Sequence, residues 1–150
     1  MKPIQIQIHG STKKSPQEIC ADLLDTERWS DFGGYSILPG IKHASFETRT
    51  PEVTGSKIKV QNTDGSSHTE EILEWDVQKK VVLKFQEFTP PLKNFASHFI
   101  ETWEFETTAT GTLTTRSMVM HPMGVGGWLI LLPISKLMKK AFEKNASQFS

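Results

Sequence analysis

The sequence predicts an α+β fold in which a curved seven-stranded antiparallel sheet wraps around a long C-terminal helix, with two short helices after the first strand. Three observations predict it. Ile4, Ile6 and Ile8 alternate with Gln5, Gln7 and His9, the period of two that marks a strand with one buried face. From about Gly40 to His121, six further strand-like runs are joined by short turn-forming segments, and short connections favour antiparallel neighbours. From Gly127 to about Gln148 the apolar period becomes helical, and only this segment is long enough to cover the apolar face of such a sheet.

After the first strand, Ser15 is placed to cap a helix, Pro16 suits its first position and Glu18 completes a capping box. Ile19, Cys20, Leu23 and Leu24 form its apolar stripe. Thr26 is the expected cap of a second short helix carrying Trp29 and Phe32, which ends before Gly33-Gly34. The six later strands are expected at Ile41–Thr48, Ser56–Asn62, His68–Trp75, Val81–Phe88, Phe95–Glu106 and Thr112–Met120. Thr63-Asp64-Gly65-Ser66, Asp76–Lys79 and Thr107–Gly111 carry hairpin-turn chemistry, and Pro90-Pro91 interrupts the chain between the fourth and fifth of these strands. In the last segment Ile130, Ile134, Leu137, Met138, Ala141, Phe142 and Phe149 step by three or four, with Lys136, Lys139, Lys140, Glu143 and Lys144 on the other side. Its first two turns are apolar all round, which implies burial on several sides. Pro133 removes a backbone donor and is expected to kink the helix. Gly124-Val125-Gly126-Gly127 reads as the hinge into it, since no Lys-Ser/Thr of a phosphate loop follows.

The chain of 150 residues fits one domain, and its 17 basic and 17 acidic residues leave no field of one sign to attract nucleic acid. Cys20 stands alone, so no disulfide framework exists, and with no leader-like segment at the start the cytoplasm is the expected compartment. The apolar run Gly126–Ile134 is far shorter than the ~20 residues of a membrane span. His9, His43, His68, His98 and His121 show no metal-ligand spacing and read as surface or strand-edge residues. No nucleophile elbow occurs. Neither a metal nor a cofactor is expected, and nothing in the composition fixes an oligomeric state.

Several features in their order resemble one known superfamily. They are the Ser15-Pro16-Gln17-Glu18 helix start, Trp29 with Phe32, and Asp76 after Glu74-Trp75. Trp103-Glu104-Phe105-Glu106 followed by Gly111-Thr112, and Pro122-Met123-Gly124 opening into Trp128–Pro133, complete the pattern. The chain resembles the START-like superfamily of the helix-grip fold, which includes polyketide cyclase/dehydrase-like proteins, the birch pollen allergen family and lipid-transfer domains. One departure is the Asp-Pro turn common in these families, which here reads Asp76-Val77. The resemblance implies an apolar ligand, small molecule or lipid, held in an internal pocket between sheet and helix. The superfamily contains both enzymes and carriers, so the fold alone leaves the choice open.

The run Phe95–Met120 is the most informative stretch. With Glu106 opposite Gly111, Glu101 faces Arg116, Trp103 faces Thr114, Phe105 faces Thr112 and Phe99 faces Met118. Glu101 and Arg116 then form an ion pair on an apolar inward face. It reads either as a polar handle for a ligand carbonyl, hydroxyl or carboxylate or as a partly hydrated cross-strand bridge; a register one residue off would instead pair Glu101 with Ser117. One of Glu70 and Glu71 must point inward, and grouping Leu73, Trp75, Leu83 and Phe85 favours Glu71. The expected pocket wall is Phe46, Ile58, Val60, Leu73, Leu83, Phe85, Phe99, Glu101, Trp103, Arg116, Met118, Met120, Trp128 and Leu132, of which the aromatic residues and methionines would serve equally well as packed core. Three functions fit: a small-molecule or lipid-binding protein, a cyclase/dehydratase-like enzyme with Glu101 as acid or base and Arg116 polarising a carbonyl, and a membrane-surface lipid carrier using Lys136, Lys139, Lys140 and Lys144.

Overall fold

Strand β1 (Ile4–Thr12) buries Ile4, Ile6 and Ile8 and exposes the residues between them, as its alternation requires. A computed structural model describes residues 2–149 of the chain, with side chains through residue 146. Helix α1 (Pro16–Leu24) begins at the capping box: the Glu18 amide donates to Ser15 Oγ at 3.2 Å, and the Ser15 amide donates back to Glu18 Oε1 at 3.3 Å. The second helical piece is a 3-10 stretch, Thr26–Asp31, and Asp25 rather than Thr26 holds its cap position, without a side-chain bond. Its start follows directly on the end of α1, so the Arg28 amide donates to the Asp25 carbonyl at 3.0 Å and no side-chain cap is needed.

Six strands follow: β2 (Ile41–Thr48), β3 (Lys57–Asn62), β4 (Ser67–Asp76), β5 (Lys80–Gln86), β6 (Ala96–Thr108) and β7 (Gly111–Pro122). Each lies within two residues of its expected bounds at either end. Among the described residues the seven strands form one antiparallel sheet in the order β1-β7-β6-β5-β4-β3-β2. The six later strands make a meander, and β1 adds to it beside β7. Register shifts in β2–β3, β4–β5 and β6–β7 supply the extra residues that bend a sheet.

Helix α2 (Gly124–Phe149) starts three residues earlier than its periodicity suggests and runs on through Pro133. The proline lies on the exposed side, where water can satisfy the carbonyl that loses its donor. Gly124 keeps a positive φ of 70°, whereas Gly126 and Gly127 belong to the helix and are no hinge. At Gly127 a Cβ would come within 2.3 Å of the Phe95 carbonyl oxygen, so only glycine lets the helix lie this close to the start of β6. Phe149, which the periodicity places on the apolar stripe, has its side chain outside the described residues.

The first turns of α2 correct another expectation. Val125, Leu129 and Ile130 are 63%, 58% and 40% exposed, because the sheet covers the helix on one side only. The helix makes its main contacts with β1 and β7. Beneath it lies one core cluster, containing Ile4, Ile6, Ile8, Phe99, Met118, Met120, Leu131 and Phe142. A second cluster lies toward α1 and contains Ile19, Cys20, Ile58, Val60, Ile72, Val81, Leu83 and Trp103. Phe85 packs against both. Because α2 sits toward β1 and β7 and α1 toward the other end, the concave face is not fully covered between them.

Candidate functional site

The gap between the two clusters is a cavity of about 340 Å³. Strands β5 and β6 contribute Leu83, Phe85, Phe99, Glu101 and Trp103 to its wall, and β7 contributes Arg116. Trp29 closes it from the 3-10 stretch and Phe32 from just after it, and Ile134, Leu137, Met138, Phe142 and Asn145 from α2. Ile37, Leu38, Pro91 and Leu92 belong to the loops beside it.

Glu101 and Arg116 meet inside this wall, though not as direct cross-strand partners. The β6–β7 ladder runs on to Thr108 opposite Gly111, so the loop is the two residues Ala109-Thr110. Glu101 therefore faces Met118, Trp103 faces Arg116, Phe105 faces Thr114 and Phe99 faces Met120. The register moves by two, an even number, so every side chain keeps its expected face. Arg116 reaches Glu101 diagonally, its Nε donating to Oε2 at 2.8 Å. Its Nη1 donates to Asn145 Oδ1 at 3.1 Å, which ties the sheet to α2. The guanidinium carbon also lies 3.8 Å from the Phe142 ring centre and 4.5 Å from that of Trp103.

Strand β4 supplies a second polar pair. His68 and Glu70 are both buried, with Nε2 and Oε2 2.8 Å apart. Glu70, not Glu71, points inward, and the cause is the register shift between Ile72 and Glu74. Trp75 pairs with Val81 and Ile72 with Leu83, so Leu73 is the extra residue and the alternation reverses across it. Leu73 consequently turns outward and is 40% exposed, and Glu71 is only half-buried. The His68 ring stacks on Phe85 at 5.1 Å, 11° from parallel, which corrects its expected place at the surface. Burial holds the Glu70 carboxyl above its ordinary value. The hydrogen bond and charge of His68 oppose that shift, Glu101 adds to it, and Arg116 draws it back.

A family model described as "Polyketide cyclase / dehydrase and lipid transport" matches residues 21–150. The chain belongs to that family. Solved structures agree on the helix-grip fold of its START-like superfamily. MLL2253 from Mesorhizobium loti superposes with a TM-score of 0.69 at 12% identity, over 97% of this chain and 96% of that one. Ara h 8.0201 gives 0.64 at 15% identity, over 97% and 99%. Major latex-like protein 151 from Panax ginseng gives 0.61 at 15% identity, over 93% and 97%. No curated protein matches the chain significantly.

Of the residues expected to line the pocket of this family member, Leu83, Phe85, Phe99, Glu101, Trp103 and Arg116 do so. Met118 and Met120 are fully buried in the core under α2, and Ile58 and Val60 in the other cluster. Phe46 packs against that second cluster, with Arg49 4.6 Å over its ring. Trp128 and Leu132 pack on the core from the first half of α2, while the helix meets the cavity only from Ile134 onward. His68, Glu70, Phe88 and the later α2 residues were not expected in the wall. For α2 the usable signal was Phe142 and Asn145, three apart on one helix face.

Away from the cavity, burial, helped by Asp76, pushes the Cys20 thiol up to about 11, which leaves it unreactive near neutrality. His98 is held below its ordinary value by burial and then by His121 and Lys84; its ring stacks on His121 at 4.2 Å. Among the described residues no three His, Cys, Asp or Glu side chains converge on a metal-sized site. Among the described residues no helix is long and apolar enough to cross a membrane.

Proposed function

We propose that this protein binds an apolar small molecule or lipid-like ligand in the cavity between the sheet and α2. The observation that supports this most is the cavity itself, about 340 Å³ and walled by Trp29, Phe32, Leu83, Phe85, Phe88, Phe99 and Leu137. A volume of this order is within the ~300–1,000 Å³ of ligand pockets, and a few convergent polar groups on an apolar wall are what such pockets share. The uncharged fluorophore N-phenyl-naphthylamine tests the reading. Saturable binding is expected, and Leu137→Trp, which fills the cavity from the helix side, should weaken it by about tenfold or more with the melting temperature kept. Binding that ignores Leu137→Trp would place the probe elsewhere and overturn the reading.

One observation favours membrane-surface loading as an extension of this function. Met123, Val125, Leu129 and Ile130 are exposed at the start of α2, and Lys136, Lys139 and Lys140 follow on its outer face. An apolar tip followed by lysines fits an anionic lipid surface. Co-sedimentation with phosphatidylglycerol vesicles is expected and should be lost in Leu129→Ser/Ile130→Ser. Equal recovery of both proteins in the supernatant would remove the idea.

A further inference from the structure

The charges around the cavity do not balance. Asp22, Asp31, Asp64, Glu70 and Glu101 line it, against Arg28, Arg116 and His68, with Lys14 outside the wall paired to Asp22 at 2.5 Å. Both arginines are already committed: Arg28 lies 2.7 Å from Asp22 and 3.8 Å from Asp31, and Arg116 lies 2.8 Å from Glu101. Glu70, 3% exposed, has only His68, and its Oε1 accepts no hydrogen bond among the described residues. Its cross-strand neighbour is Phe85. The ring of Phe85 lies 6.3 Å from that of Phe99, which is 4.9 Å from that of Phe88.

We propose that the cavity takes an apolar amine, carried as the ammonium ion, with its nitrogen on Glu70 and its carbon skeleton against Phe85, Phe88 and Phe99. This rests on the cavity being a ligand site, as argued above. An ammonium gives the free carboxylate oxygen a charge-assisted donor and places positive charge beside ring faces. A carboxylate ligand would meet Glu70 and Glu101 with both guanidinium groups occupied, an anion buried without a partner. An alcohol of the same skeleton can donate one hydrogen bond to the carboxylate but brings no positive charge to neutralise it.

The same geometry links binding to protons. The ammonium pairs with ionised Glu70, whose burial favours the protonated form, so affinity should rise with pH until Glu70 is ionised in the empty cavity. The charged groups around it are His68 on β4, Glu101 on β6 and Arg116 on β7, with Asp22, Arg28, Asp31 and Asp64 farther along the wall.

Titration calorimetry of the full chain with naphthylethylamine, naphthylethanol and naphthylacetate tests the proposal. At about pH 8 the amine should bind about tenfold tighter than the alcohol, with the acetate weakest. As the pH is lowered and Glu70 takes up its proton, the amine should lose that advantage while the alcohol holds its affinity. Glu70→Gln should bring the amine down to the level of the alcohol. An alcohol that binds as tightly as the amine, or an acetate that binds tighter, overturns the amine assignment and leaves the cavity reading standing. Binding of none of the three overturns both.

Discussion

Replacing Arg116 by methionine is expected to destabilise the protein by about 3–5 kcal/mol, because it leaves Glu101 buried without a partner. Glu101 is 3% exposed, and Arg116 is its one ion-pair partner among the described residues. The same substitution removes the bond to Asn145 and the packing of the guanidinium on Phe142 and Trp103. Most of the cost is the stranded carboxylate rather than the lost contact, and a second substitution separates the two. Glu101→Leu added to Arg116→Met takes both charges away, and buried pairs replaced by apolar residues are often neutral or better. The double variant should therefore recover about 2 kcal/mol or more of the loss, a non-additivity expected of residues in contact. Urea titrations of the wild type, both single variants and the double variant measure it. Two single losses that simply add would show that the carboxylate is not stranded by removal of the arginine.

That pair also shows how much of the site was legible beforehand. Its face can be read from alternation in β6 and β7, because the observed ladder differs from the expected one by an even number of residues. The ladder continues to Thr108 and Gly111, where a Cβ on Gly111 would stand 2.0 Å from the Thr12 carbonyl oxygen. That contact with the end of β1 is tertiary and leaves no local pattern. In β4 the discrepancy was odd. One extra residue at Leu73 reverses the alternation, so Glu70 and His68 enter the cavity where Glu71 was expected. A bulge inside a run such as Glu70-Glu71-Ile72-Leu73-Glu74 has no residue type that announces it.

The elements themselves were more legible than their packing. The capping box at Ser15 and the isoleucine alternation in β1 are local physics, and both stand as read. The wall of α2 was placed at Trp128 and Leu132, and the structure moves it to Ile134 through Asn145. Which turns of a long helix face a void depends on where the helix crosses the sheet. Here α2 rests on β1 and β7, a placement set by Gly127 against Phe95 and by Leu131 in the core.

Glu70→Gln is expected to make the protein more stable near neutral pH, which is unusual for a change in a buried polar site. Burial holds the Glu70 carboxyl above its value in the unfolded chain, so over the interval between those values the folded protein binds the proton more tightly. Folding stability then falls as pH rises through that interval, since the unfolded chain gives up the proton first. Glutamine keeps an oxygen that can accept from His68 and has no proton to lose. At about pH 4, with Glu70 protonated in both states, the two proteins should have nearly equal unfolding free energies. At about pH 8 the variant should be the more stable of the two. Denaturant titrations at the two pH values decide it: a difference that does not change with pH, or a variant weaker at pH 8, would show that His68 compensates Glu70 in full. A gap that opens with pH means that the protein carries a carboxylate at a cost to its own stability. That cost has a physical rationale if an ammonium ligand offsets it on binding. Adding naphthylethylamine at about pH 8 should then stabilise the wild type by more than it stabilises the Glu70→Gln protein.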